Sequence, residues 1–250
     1  MHYLYDPDLR GELPEEEARH ALRVLRLGEG DEIRLVDGKG GLYEAEITEA
    51  RGRRVSYKVL TEEHTEPLRQ GRLHLAVAPT KNSERMEWLV EKATEIGFDE
   101  LTFLLCRHSE RRTLNMERLE RIVVAAMKQS QKAWKPRLNP LMDFSEFLQG
   151  ERVGGKYICH CHEGLSLKPH LLEVLRAGED ATVLVGPEGD FSLEEVQEAE
   201  RRGYVGVSLG RSRLRTETAA LAALLWMSCP YQPQDVALRV AKGSKREYNI

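Results

Sequence analysis

The 250-residue chain is short of several things, and each shortage excludes a class of protein. Its four cysteines, Cys106, Cys159, Cys161 and Cys229, are too few and too irregularly spaced for a disulfide framework, which points to a reducing compartment. No eighteen apolar residues run together, so no membrane-spanning helix is expected. The opening Met-His-Tyr-Leu-Tyr-Asp-Pro-Asp lacks a basic stretch leading into an apolar one, and the expected location is cytoplasmic. Gly-x-Gly-x-x-Gly and Gly-x-x-x-x-Gly-Lys-Ser/Thr are both missing, which leaves dinucleotide and P-loop readings without support. No internal repeat is evident.

What is present suits a globular chain with a sizeable core: 41% hydrophobic and 31% charged residues. The net charge of −4 argues against a uniformly basic nucleic-acid binder, yet it hides clusters. Residues 105–139 hold nine Lys/Arg against three acids, and residues 201–215 hold five arginines and no acid. Residues 1–72 carry sixteen acids and twelve basic groups, so any RNA contact there needs a local patch.

The first seventy or so residues read as β-rich with one early helix. Pro14-Glu15-Glu16-Glu17 followed by apolar residues at helical spacing predicts a helix to about Leu25. Alternating runs at 31–37, 42–48 and 54–60, the first two separated by Gly38-Lys39-Gly40-Gly41, predict a hairpin and a further strand, best satisfied by a small barrel. Polar residues 61–72 mark a boundary. Beyond it, strands at 73–78, 101–105, 156–160, 182–185 and 205–209 alternate with helices at 83–96, 116–132, 171–177, 192–202 and 216–227. That rhythm predicts a mostly parallel sheet with helices on its faces. Residues 230–250 read as an appended tail.

In an open parallel sheet, ligands sit beyond the carboxyl ends of the strands. Two such ends carry glycine loops. Gly186-Pro187-Glu188-Gly189 follows the apolar run 182–185, and Ser192 with Glu195 then forms a capping box for the next helix. Leu209-Gly210 is followed by Arg211-Ser212-Arg213-Leu214-Arg215-Thr216-Glu217-Thr218-Ala219. Together the two loops suggest the rim of one pocket.

These loops, with Arg85-Met86-Glu87, Lys92-Ala93-Thr94-Glu95-Ile96-Gly97, and Gln129-Ser130 before Pro136, resemble the RsmE family of ribosomal RNA methyltransferases within the SPOUT superfamily. The motifs stand in that family's order across most of 73–227, and the front end resembles its PUA-like RNA-binding barrel. The resemblance implies an α/β fold of SPOUT type: a mostly parallel sheet with a C-terminal trefoil knot, preceded by the PUA-like barrel. It divides the chain into 1–70 (RNA-binding), 73–229 (methyltransferase) and the tail. It further implies S-adenosylmethionine as methyl donor, N3 of a uridine in 16S ribosomal RNA of the small ribosomal subunit as acceptor, and a homodimer with the active site near the subunit interface. By motif matching, Leu184, Gly186, Glu188, Gly189, Leu209, Gly210, Leu214, Arg215, Thr218 and Ala219 fall on cofactor-loop positions. Asp190 stands where the family usually has a further glycine, Lys128 and Lys132 replace Glu and Arg around Gln-Ser, and Ser212-Arg213 replaces an Arg-hydrophobic pair.

A uridine imide nitrogen is a poor nucleophile until deprotonated, so a base or a cation near the imidate oxygen should matter. Arg215 is the candidate cation or phosphate holder. Glu217 is the candidate orienting group or base, with a helix-dipole role as its alternative. Arg111 and Arg112 are candidates for gripping the RNA backbone, as are Arg19, Arg23 and Arg26 at helical spacing and Gln129, Ser130 and Lys132 near a helix end. Cys159-His160-Cys161-His162 invites a metal reading, but alternate residues of a strand face opposite sides, so strand packing and no metal are expected. Trp88 and Trp134 read as core or interface anchors. The competing functions are another SPOUT reaction, such as ribose 2′-O methylation, and a non-catalytic RNA-binding assembly factor.

Overall fold

The computed structural model describes residues 2–67, 69–162 and 168–228. The tail 230–250 and Cys229 lie outside them.

The front of the chain forms a four-stranded sheet in the order β1 (His2–Tyr5), β2 (Glu32–Val36), β3 (Gly41–Arg51), β4 (Arg54–His64). β1 pairs parallel with β2, and the other pairs are antiparallel. Neither β1 nor the continuation of β4 through Thr61–His64 stands out in the sequence, because β1 is only four residues long and the end of β4 is polar and solvent-exposed. The expected barrel is a curled sheet: residues 11–13 bond to the far edge, with Leu13 N–H donating to the Val55 carbonyl and Tyr57 N–H to the Gly11 carbonyl, both at 2.9 Å. Only five residues separate that segment from β1 at the other edge, so the short connection forces the curl. Helix α1 (Glu15–His20) continues into a π-helical turn over Ala21–Leu25, and Leu4, Ile33, Leu35, Ala45 and Ile47 form the core beneath it.

The second sheet has six strands, all pairs parallel, in the order β10 (Val205–Val207), β8 (Gly155–Cys159), β9 (Ala181–Val185), β5 (Leu73–Val77), β6 (Glu100–Leu105), β7 (Arg137–Asp143). Its strands alternate between two cores. Leu73, Leu75 and Val77 face α2 (Ser83–Ile96), α3 (Met116–Gln129) and α7 (Thr216–Ser228), while Ala76 and Ala78 face α4 (Phe144–Gln149) and α6 (Leu193–Arg201). Both faces are covered, which is why these strands read as continuous apolar runs. The expectation misses β7 and α4 altogether. Pro140 interrupts the β7 pattern and is tolerated because β7 is an edge strand with an irregular register beside Thr102 and Phe103. Three helices and strands are shorter than expected. α3 stops at Gln129 because Gln131 turns left-handed (φ 55°), α5 covers only Leu171–Val174, and β10 ends at Val207.

The two sheets are docked through the Gly38–Gly41 loop. Gly40 N–H donates to the Ala133 carbonyl at 3.1 Å, Lys135 N–H donates to the Gly38 carbonyl at 3.0 Å, and Trp134 Nε1 donates to the Thr65 carbonyl at 3.0 Å. Val36, Met127 and Ala133 form a small shared core, and the buried carboxylate of Glu17 accepts from Lys128 Nζ at 2.5 Å. Gly40 has φ 101°, and a Cβ there would stand 2.6 Å from the pinned Trp134 ring. Gly40→Ala should therefore cost about 2 kcal/mol or more in urea unfolding. Gly52→Ala, left-handed at φ 62° but in open space, should cost only about 1 kcal/mol. Equal losses would contradict the docking role.

Candidate active site

Beyond the carboxyl ends of β8, β9 and β10 lies a cavity of about 740 Å³, within the usual size for a small-molecule site. Its walls come from the strand-end residues Cys159 to Cys161, from Gly186, Pro187 and Glu188, from the 207–215 stretch, and from the first turns of α7. Apolar Val185, Val207, Leu209, Leu214 and Ala219 alternate with backbone groups of the loops, a lining that suits a ligand with both apolar and polar parts.

Each wall is fixed by an identifiable interaction. Thr216 Oγ1 donates to the Gly186 carbonyl at 3.0 Å in a buried bond that ties α7 to the β9 loop. Glu188 accepts the Lys81 N–H at 3.0 Å, tying the same loop to the end of β5. Gly186 is tightly enclosed, since a Cβ would lie 3.1 Å from both the ring and the backbone nitrogen of Phe191. The Ser192–Glu195 capping box forms as expected, and Glu195 Oε1 additionally accepts the Arg107 N–H at 2.8 Å. Asp190 holds a left-handed φ of 64°, which a glycine would adopt freely. Its carboxylate accepts the Cys161 N–H at 2.7 Å and the Phe191 N–H at 2.8 Å, joining the β8 and β9 ends.

Of the motif-derived residues, Gly186, Glu188, Leu209, Gly210, Leu214, Arg215 and Ala219 line the cavity. Leu184 does not: it is buried in the core on the α4 and α6 side. Gly189 sits against His108, and Thr218 faces solvent. Arg215 is exposed, whereas Glu217 is 6% exposed and its ionic partner is Arg85 of α2, with Nη1 3.6 Å from Oε1. Glu217 Oε2 is buried with no hydrogen-bond partner.

Of the RNA candidates, Arg19, Arg23, Arg26, Arg112 and Gln129 are exposed. Arg111 donates from Nε to the carbonyls of Thr80 (3.0 Å) and Lys81 (3.1 Å), so part of its fork is spent on the β5 loop. Ser130 Oγ donates to the Ala126 carbonyl at 2.7 Å. Lys132 is half-buried, and burial lowers its pKa while Glu95 opposes the shift.

Lys168 lines the cavity without having stood out in the sequence; His160, read there as strand packing, and Thr216, quoted there only as part of the motif, line it too. Lys168 Nζ donates to the carbonyls of His160 (2.6 Å) and His162 (3.1 Å), which closes that corner. Cys159 lies in the core facing α2 and α7, and burial raises its thiol pKa. Among the described residues no three His, Cys, Asp or Glu side chains gather closely enough to hold a metal ion, and no helix is long and apolar enough to cross a membrane.

A parallel sheet with a cavity at its strand ends, joined to a small curled sheet, defines a two-module α/β protein with a small-molecule site. The model for the RNA methyltransferase domain matches residues 66–228, and the model for the RNA methyltransferase PUA domain matches 13–60. The chain belongs to the RNA methyltransferase family, within the group of ribosomal RNA small subunit methyltransferase E. The Aquifex aeolicus protein of that name is 29% identical over 89% of this chain and 96% of its own length. A probable rRNA-methyltransferase from Porphyromonas gingivalis has a TM-score of 0.86 at 41% identity, covering 91% of this chain and 97% of that one. The Neisseria gonorrhoeae ribosomal RNA small subunit methyltransferase E bound to S-adenosyl methionine has a TM-score of 0.80 at 27% identity, covering 96% and 98%.

Burial, reinforced by the Lys168 ammonium, holds the His160 pKa down at about 4 against an ordinary 6.5. The unfolded chain then takes up a proton that the folded chain refuses. The contribution of a neutral His160 is therefore full above pH 6.5 and is lost as pH falls towards 4. His160→Asn should lose about 5 °C or more less in melting temperature than the parent over that interval. Identical slopes would contradict the burial argument.

Proposed function

We propose that the chain is an S-adenosylmethionine-dependent methyltransferase that methylates N3 of a uridine in 16S ribosomal RNA of the small ribosomal subunit. The observation that carries this reading is the cavity walled by Gly186, Glu188, Leu209, Gly210 and Leu214, in a chain of this family. Its size, its apolar walls and its loop backbone fit an adenosine joined to a methionine. When bound, that cofactor supplies an electrophilic methyl group on a sulfonium. The chain's own task is then to align the acceptor, exclude water and remove one proton.

In this reading Glu217 would act as the base for the imide N3–H or as the group that orients the cation; its Oε1 lies 3.6 Å from Arg85 Nη1, its buried Oε2 has no hydrogen-bond partner, and it stands between the cavity-lining Thr216 and Ala219. Exposed Arg215 at the cavity rim would stabilise the charge that develops on the uracil oxygen or hold an RNA phosphate. In this reading 1–70 binds RNA, with Arg19, Arg23 and Arg26 on its surface, and 73–229 performs the transfer, with Arg111, Arg112, Gln129, Ser130 and Lys132 towards the RNA. The stretches after β9 and β10 would form the trefoil knot. A second copy would cover α7, which is apolar nearly all round and leaves Leu225 53% exposed. The reaction takes place where ribosomes are assembled, in the cytoplasm.

The test is methyl transfer to small subunits lacking their native modifications, with the product base identified by mass spectrometry. Label at one uridine N3 is expected, and Glu217→Gln and Arg215→Ala should each lower kcat about 100-fold or more. Transfer to a ribose oxygen, or near-normal turnover of both variants, would contradict the reading.

A further inference from the structure

The stretch between β10 and α7 holds Arg211, Arg213 and Arg215 within five residues, all exposed and all lining the cavity. Among the described residues none of the three is in an ion pair, although neighbouring arginines are: Arg107 with Glu194, Arg201 and Arg202 with Glu198, and Arg85 with Glu217. Three like charges so close repel one another, and among the described residues no carboxylate pairs with any of them. Their presentation is nonetheless ordered. Gly210 turns left-handed at φ 123°, and Ser208 Oγ bonds both its N–H (3.1 Å) and its carbonyl (3.2 Å). Leu214 turns inward, half-buried, between exposed Arg213 and Arg215. Isolated surface charges need no such turn; unpaired guanidinium groups carried together on it suit a chain of anions, which guanidinium groups bind in bidentate fashion.

We infer that Arg211 and Arg213 form a phosphate clamp at the mouth of the cavity, gripping the single-stranded RNA backbone on either side of the nucleotide that enters it. The inference rests on the RNA methyltransferase reading above. It assigns substrate contacts to two residues that the family motif does not supply, since Ser212-Arg213 departs from it. The clamp divides the work: the loop's backbone and Leu209 and Leu214 face the cofactor, while the arginines face outward to the polymer.

The experiment measures binding of a labelled single-stranded oligouridylate by fluorescence anisotropy across a salt series, alongside calorimetric titration with S-adenosylmethionine. For Arg211→Ala/Arg213→Ala, the slope of log affinity against log salt should become less negative by about 1.4, two contacts at about 0.7 each. Cofactor affinity should change less than about threefold, and Arg211→Lys/Arg213→Lys should keep the parent slope. Arg201→Ala, which removes an ion-paired arginine, should leave the slope unchanged. An unchanged slope in the double alanine variant overturns the clamp. So does an equal shift with Arg201→Ala, which would mean a general field, or a tenfold loss of cofactor affinity without a slope change, which would assign the arginines to the cofactor. Failure of the parent protein to bind S-adenosylmethionine would instead defeat the underlying reading.

Discussion

The buried hydrogen bond from Thr216 Oγ1 to the Gly186 carbonyl is the interaction on which the site depends. A parallel sheet delivers its loops to one edge, but loops alone do not make a cavity. This bond joins the start of α7 to the loop after β9, and Glu188 joins that loop to the end of β5. Asp190 adds the end of β8 through the Cys161 N–H. The cavity wall is therefore built from loops held in place by the buried Thr216 hydroxyl and by the Glu188 and Asp190 carboxylates.

The second constraint is rigid docking of the front sheet. Glycines that look like an ordinary hairpin turn are the contact surface itself: Gly40 fits under Trp134, and its N–H meets Ala133. Glu17 and Lys128 pair across the same junction, both largely buried. Such a pair is costly to break from one side. It also accounts for Lys128, a departure from the family pattern, as a structural lysine that joins the two sheets. A front sheet fixed in this way holds its exposed Arg19, Arg23 and Arg26 in a set relation to the cavity.

Much of this was legible in the sequence where local chemistry and burial agree. The expected helix 83–96 coincides with α2, whose ends are set locally: the Asn82 side chain accepts the Glu84 N–H at the start, and Gly97 ends it with φ 108°. The doubly covered strands declared themselves as apolar runs. Edge elements did not: β7 contains Pro140, β1 is four residues long, and the far end of β4 is wholly exposed. At the site, the glycine loops were visible because their backbone demands particular residues. His160 and Lys168 were not, since a histidine on a strand reads as packing and the corner it closes is set by tertiary contact. The pairing of Glu217 with Arg85 rather than Arg215 was equally hidden, because only the packing of α2 against α7 brings these two groups together.

The most direct test of the account is hydrogen–deuterium exchange of the protein with and without saturating S-adenosylmethionine. Slower exchange confined to 186–190 and 208–219, with β3 in the front sheet unchanged, is the predicted result. Protection elsewhere, or none at these two segments, would contradict the proposal that the strand-end loops are the cofactor site.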